Sequence, residues 1–170
     1  MNFQDHAPRK MAVTLSERGL HFSQPPTPQI RQAEIIVVMA LRNQAVYLSS
    51  SLASALGQSI EPGRPAVIIL ADQSSDNWRE TAHNLLVDPR VVIAHGVCGT
   101  AAHARNALLD LVDSHFPAAK WVARLDADDV FASPDVLQTM TAEGERTDAS
   151  FVLGSNHLQL NNKHLRNSNI

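Results

Sequence analysis

From Glu34 onward the chain alternates between unbroken apolar runs and stretches in which apolar residues recur every three or four positions. Residues 35–41 (Ile-Ile-Val-Val-Met-Ala-Leu) read as a parallel strand buried on both faces. Residues 45–58 follow with Val46, Leu48, Leu52, Ala55 and Leu56 at helical spacing, Asn43 being the expected cap, and Gly57 and Pro62-Gly63 close the unit. The same alternation repeats. A second strand is expected over 66–70, a helix over about 78–87 capped by Asp76 or Asn77 and broken by Asp88-Pro89, and a third strand over 90–95. A third helix spans 101–116 and a fourth strand 120–125. Ser133 and Pro134 then mark the cap and first turn of a fourth helix running to about Glu143, and residues 151–154 read as a fifth strand.

Strand, helix, strand, repeated in this way, predicts an α/β fold: a right-handed, mostly parallel sheet with helices on both faces. Ligands of such sheets bind beyond the carboxyl ends of the strands. Asn43, Asp72, Gly96 and the acidic segment 126–129 all fall at expected carboxyl ends.

The segment before Glu34 has a different character. Prolines 25, 26 and 28 make a turn-rich linker, and residues 11–22 carry the signal of at most a small strand or turn. The expected division is therefore an extension over 1–33, one domain over 34–160 and a polar tail over 161–170. A length of 170 residues suits one α/β domain, and the 44% apolar content supports a core built from aliphatic side chains, since aromatics contribute 5%.

Charge and cysteine content narrow the class. A net charge of −3 without a Lys/Arg cluster gives no basis for a nucleic-acid partner. No run approaches the roughly 18 apolar residues of a membrane span. Cys98 is the single cysteine, so no intrachain disulfide forms, and the first ten residues are polar; both point to a cytoplasmic protein.

The chemistry concentrates in Asp126-Ala127-Asp128-Asp129, three carboxylates in four residues at a strand end. Their mutual repulsion calls for a countercharge, and a divalent cation carrying a phosphate supplies one through hard oxygen ligands. The bland alternative is a solvated strand-to-helix turn. Asp72 is placed to accept N–H or hydroxyl donors of a base or ribose, or equally to close an Asx turn. Arg105, in an early turn of the third helix, is placed to meet a phosphate or a base edge, or to form a surface ion pair.

Taken together, residues 35–43, Tyr47-Leu48, 54–58, 72–77, Gly99 with Ala104-Arg105-Asn106, and 125–129 resemble a family 2-type glycosyltransferase in order and spacing, over roughly residues 34–155. The resemblance implies a Rossmann-like GT-A fold, a three-layer sandwich with a mostly parallel sheet. It covers the family's nucleotide-binding half and stops shortly after the fifth strand. It also implies a nucleotide-diphosphate sugar as donor, UDP-linked first, and Mn²⁺ or Mg²⁺ as cofactor. By this resemblance Ala40, Arg42 and Asn43 lie near the base and Asp72 binds it. Arg105 lies near the nucleotide, Asp126 and Asp128 match the ribose and metal motif (the DXD element), and the metal falls to Asp128 or Asp129. The acceptor is an unspecified hydroxyl on a glycan, lipid or protein, and a homodimer over exposed apolar surface is a further expectation.

Departures from the family pattern accompany the likeness. Ala71 stands where a first acid is usual, and Arg42 where an aromatic is common, so any stacking on the base would be by guanidinium. The family's general base lies in its acceptor half, beyond the matching segment, and no residue here is assigned that role. A non-catalytic nucleotide-sugar-binding module is the main alternative. A haloacid dehalogenase-type phosphatase fits Asp126-Ala127-Asp128-Asp129-Val130 formally, but that motif normally opens its domain. A sugar nucleotidyltransferase would need a Gly-rich basic loop after the first strand, which 40–44 does not provide.

Overall fold

The computed structural model describes residues 19–60, 63, 65–155, 157–160 and 163–166, the last two segments as backbone only. Five strands form one sheet in the order β1-β4-β3-β2-β5: β1 (His21–Gln24), β2 (Ile35–Leu41), β3 (Ala66–Asp72), β4 (Val91–Gly96) and β5 (Trp121–Arg124). β2, β3, β4 and β5 run parallel, and β1 joins the outer edge of β4 antiparallel. Two further short strands, β6 (His157–Leu160) and β7 (Lys163–Arg166), pair with each other as an antiparallel ribbon.

The continuous apolar runs become the central strands because both faces of the sheet are covered. Odd-numbered residues of β2, among them Val37 and Met39, join one core with Leu48, Leu52 and Ala55 of α1 (Ala45–Leu56), Trp78 of α2 (Trp78–Thr81), Leu86 of α3 (His83–Leu86) and Leu137 of α5 (Val136–Thr147). Even-numbered residues, Ile36 and Val38 with Ile68 and Leu70 of β3, pack on the opposite face against Ala104, Leu108 and Leu111 of α4 (Ala101–His115). The result is a helix–sheet–helix sandwich. From β2 the chain steps outward to β3 and β4, then returns through α4 to place β5 on the other side of β2. The strand order therefore reverses beside β2, and a crevice opens there at the carboxyl ends.

Two approaches leave no room for a Cβ unless a neighbour shifts, which is easy only at Gly96, where that neighbour is the tip of a Leu side chain. A Cβ on Gly144 of α5 would sit 2.3 Å from the Trp121 ring, and one on Gly96 would sit 2.4 Å from Leu20.

Several local expectations change. Residues 151–154 form no strand, and Phe151 and Leu153 are exposed, because no sheet edge meets them and a lone extended segment leaves its backbone groups unpaired. β1 enters the main sheet from a segment expected to stand apart. The helix expected over 78–87 is two short ones, α2 and α3, meeting at Ala82. The fourth helix begins at Val136, later than Pro134, because the Gln58 side chain and the Ser59 N–H bind Ser133, Pro134 and Leu137 and hold the lead-in loop. Asn43 does not cap α1. Its backbone is left-handed (φ 54°), and the Ala45 N–H is instead accepted by Asp76 Oδ2 at 2.7 Å. Expectations for residues 1–18 and 167–170 lie outside the described residues.

Candidate donor-binding site

The crevice beside β2 is a cleft of 270 Å³. Ala40, Leu41 and Arg42 enter it from the end of β2, Asp72 from the end of β3, and Asp126, Ala127 and Asp128 from the loop after β5. Ala101, Ala104 and Arg105 line it from the first turns of α4, adding the positive end of a 15-residue helix. Thr100 caps that helix by accepting the His103 N–H at 3.2 Å. Six of the eight site residues expected from sequence thus meet in one cleft. Asn43 does not line it: its Oδ1 accepts the Ser75 N–H at 2.9 Å and so ties the β2 loop to the β3 loop. Asp129 is also outside the lining, on the exposed shoulder of the acidic turn.

Asp72 is buried, at 3% exposure, and its Oδ1 accepts the Cys98 N–H at 2.7 Å. A buried carboxylate needs such donors to stay in place. The bond arises because Asp72 pairs with Gly96 in the parallel β3–β4 register, so the loop after β4 folds over it. Arg42 Nη1 reaches Gly99 O at 3.4 Å, drawing its guanidinium across the mouth of the cleft towards the same loop.

The acidic cluster divides into two environments. Asp126 is clamped by Arg124, with Nε–Oδ1 at 3.0 Å and Nη2–Oδ2 at 2.6 Å, and by Arg105, with Nη2–Oδ2 at 2.9 Å. The hydrogen bond from Arg124 above all, with Arg105 in support, holds the Asp126 carboxyl below the usual carboxylate range against the opposing effect of burial. Asp129 moves the other way: burial first, then the charges of Asp128 and Asp126, push it up, and Arg124 only partly compensates. The two arginines therefore answer part of the repulsion, at Asp126. The remainder stays at Asp128 and Asp129, which make no ion pair among the described residues.

The chemistry of this donor set decides what cation it fits. Among the described residues no group of three or more His, Cys, Asp or Glu is arranged to hold a metal by itself. Two hard carboxylates with uncompensated charge do fit Mg²⁺ or Mn²⁺ of the kind completed by phosphate oxygens of a ligand.

Arg124, the strongest partner of Asp126, was not among the residues expected from sequence. The spacing carries a signal, since residues two apart on an extended segment share a face and Asp126 lies two residues past Arg124, just beyond the end of β5. The backbone N–H of Cys98 and the Ala101 turn carry no sequence signal. A larger hollow of 630 Å³ lies against another flank of α4, lined by Val97, Cys98, His103 and Asn106 among others. Its size does not make it the site, because the acidic strand ends do not reach it.

A mostly parallel sheet with a carboxylate-lined cleft at its switch point places the chain among the open α/β proteins, whose ligands bind at that end of the sheet. The sequence matches the model of glycosyl transferase family 2 over residues 36–168, and the chain belongs to that family. Its fold is that of the GT-A glycosyltransferases. Staphylococcus aureus TarS (residues 1–349) in complex with UDP superposes with a TM-score of 0.56 at 17% identity, over 66% of this chain and 32% of that one. The mannosyltransferase PcManGT of Pyrobaculum calidifontis, in complex with GDP-Man and Mn²⁺, gives 0.55 at 18% identity, over 70% and 33%. The chain spans about a third of the length of these two solved chains, and 20% of the longer TarS chain. No curated protein sequence matches it. Membership of the family removes the phosphatase alternative, and the clamp fits that outcome, since the Asp that would act as nucleophile is tied to two guanidinium groups.

Proposed function

We propose that this chain is the donor-binding unit of a glycosyltransferase that uses a nucleoside-diphosphate sugar, UDP-linked first, and an acceptor hydroxyl on a glycan, lipid or protein. The observation that carries the reading is the convergence of Arg42, Asp72, Arg105, Asp126 and Asp128 on one cleft at the switch point of a family 2 chain. TarS binds UDP and UDP-GlcNAc, and PcManGT binds GDP-Man with Mn²⁺, in complexes whose protein fold this chain shares.

In this reading the unit is residues 34–160, with β1 extending its sheet. Asp72 accepts the N–H of a keto base such as uracil, held in place by the Cys98 amide. Arg42 covers the base with its planar guanidinium, in the position where the family commonly has an aromatic. Asp126, oriented by Arg124 and Arg105, accepts from the ribose hydroxyls. Arg105 and the positive end of α4 face the diphosphate. Asp128 and Asp129 hold Mn²⁺ or Mg²⁺. When bound, the cation offsets charge on the leaving diphosphate as a Lewis acid. The single cysteine suits a reducing compartment, and the cytoplasm is the proposed location.

The metal assignment is tested with the double variant Asp128→Ala/Asp129→Ala. Calorimetry with UDP is expected to lose the Mn²⁺-dependent part of the affinity and keep the part measured in EDTA. An affinity that still rises with Mn²⁺ in the variant overturns the assignment.

A further inference from the structure

The acidic turn is shaped from behind, by a polar stripe on α1 and the residue just beyond its C-cap. Ser51, Ser54 and Gln58 lie at helical spacing on one face, and Ser51 and Gln58 are at 0% and 2% exposure. The core-facing side of such a helix is normally apolar, and a buried hydroxyl or amide there is costly unless hydrogen-bonded. All three side chains bond to the segment after β5. The Ser51 hydroxyl lies 3.0 Å from the Asp126 carbonyl and in hydrogen-bond contact with the Asp129 carbonyl. Ser54 Oγ accepts the Phe131 N–H at 3.1 Å, and Gln58 donates to the Ser133 carbonyl at 2.8 Å.

The two carbonyls that meet Ser51 bound the turn itself, which the Asp129 N–H closes onto the Asp126 carbonyl at 3.0 Å. Sheet pairing gives this turn no support. The last backbone bond to β2 is Leu125 N–H to Val38 O, and the chain leaves the sheet there. The directions of the Asp128 and Asp129 carboxylates therefore depend on a turn whose two bounding carbonyls share the single proton of one buried hydroxyl. The other end of α1 is joined to the base side of the cleft, through Asp76 Oδ2 on the Ala45 N–H at 2.7 Å and Ser49 Oγ on the Thr81 carbonyl at 2.8 Å.

We infer that Ser51 is a positioning residue for the diphosphate half of the donor site: it sets the acidic turn that carries Asp128 and Asp129, and leaves the base half to the loops held at the start of α1. This inference rests on the donor reading above.

The test separates the two halves by ligand. UDP and GDP are titrated with Mn²⁺ into the wild-type chain by calorimetry; the tighter of the two, and its nucleoside followed by NMR, are then titrated into Ser51→Ala. Affinity for the diphosphate is expected to fall about tenfold, with nucleoside affinity within about twofold of wild type. Amide exchange at Asp129 quickens, and the rest of α1 stays protected. Ser54→Ala, which frees Phe131 beyond the turn, lowers stability but keeps the ratio of the two affinities. An unchanged diphosphate affinity in Ser51→Ala, or equal losses for both ligands, overturns the inference alone. A wild-type chain that binds neither nucleotide overturns the donor reading and this inference with it. Should Ser51→Ala not fold, Ser51→Cys, close in size with a much weaker donor, reads the same ratio.

Discussion

Asp72 and Asp126 both end strands and both line the cleft, yet their partners give them different capacities. Asp72 meets a backbone amide, which fixes its position without adding a countercharge, whereas Asp126 meets two guanidinium groups and is already neutralised. On the proposed reading Asp72 is therefore the carboxylate left to accept from a base. Asp72→Ala is expected to weaken binding of the preferred nucleotide by roughly 1–3 kcal/mol, measured by calorimetry. An unaltered dissociation constant would reduce Asp72 to a clasp for the Cys98 loop. The sequence made Asp72, Arg105 and the acidic cluster legible because acidic and basic residues at strand ends and helix starts are conspicuous among apolar runs. It did not reveal Asn43 as a tie between loops, since that role depends on a left-handed backbone and on Ser75, 32 residues away.

At the scale of elements, α5 rests on a contact that its own sequence would not predict. A glycine inside a helix normally costs about 0.5–1 kcal/mol relative to alanine, so helix propensity alone predicts that Gly144→Ala stabilises the protein. Here the added Cβ would lie 2.3 Å from the ring of Trp121 on β5, and overpacking of this kind typically costs about 1–3 kcal/mol. The packing cost is the larger, and urea denaturation of Gly144→Ala is expected to show a lowered midpoint. A raised midpoint would mean that α5 shifts away from β5 without penalty. β2, β3 and β4 could be read from sequence because strands buried on both faces announce themselves as β-branched runs. β1 could not, since His21–Gln24 is polar and owes its strand to the free edge of β4. The same reasoning, inverted, applies to residues 151–154, whose composition suggests a strand but which pair with neither outer strand of the sheet, β1 or β5.

Among the described residues, folding makes two histidines harder to protonate. Burial, then Arg79 and His21, push His95 below 6.5; burial, then Arg31, do the same for His115. The unfolded chain takes up protons at these sites near 6.5 while the folded chain does not, so it binds more protons as pH falls. Their contribution is complete above 6.5 and is lost as pH drops towards the lowered folded-state values. The thermal midpoint is expected to be lower at about pH 5.5 than at about pH 7.5. Equal midpoints would contradict this. The clamp on Asp126 acts in a separate window: its stabilisation is present above the carboxylate's ordinary 3.8 and lost as pH falls through the lowered folded value.

On this scale the layer order and the end of the sheet that carries the cleft followed from the strand–helix alternation, because ligands of such sheets bind beyond the carboxyl ends. The reversal of strand order beside β2 came only with the structure. The division of the acidic cluster did not follow from the alternation either, since it depends on which arginines the folded chain brings alongside. That division also separates what the protein does alone from what it does with a ligand. Asp126 has its countercharge from the protein, and on the proposed reading Asp128 and Asp129 take theirs from a cation that arrives with phosphate. Calorimetric titration of UDP into the wild-type chain, first with Mn²⁺ and then with EDTA, tests this most directly. The account predicts micromolar binding with Mn²⁺ and a marked loss of affinity in EDTA. Binding of equal strength in both, or no binding of UDP or GDP in either, would contradict it.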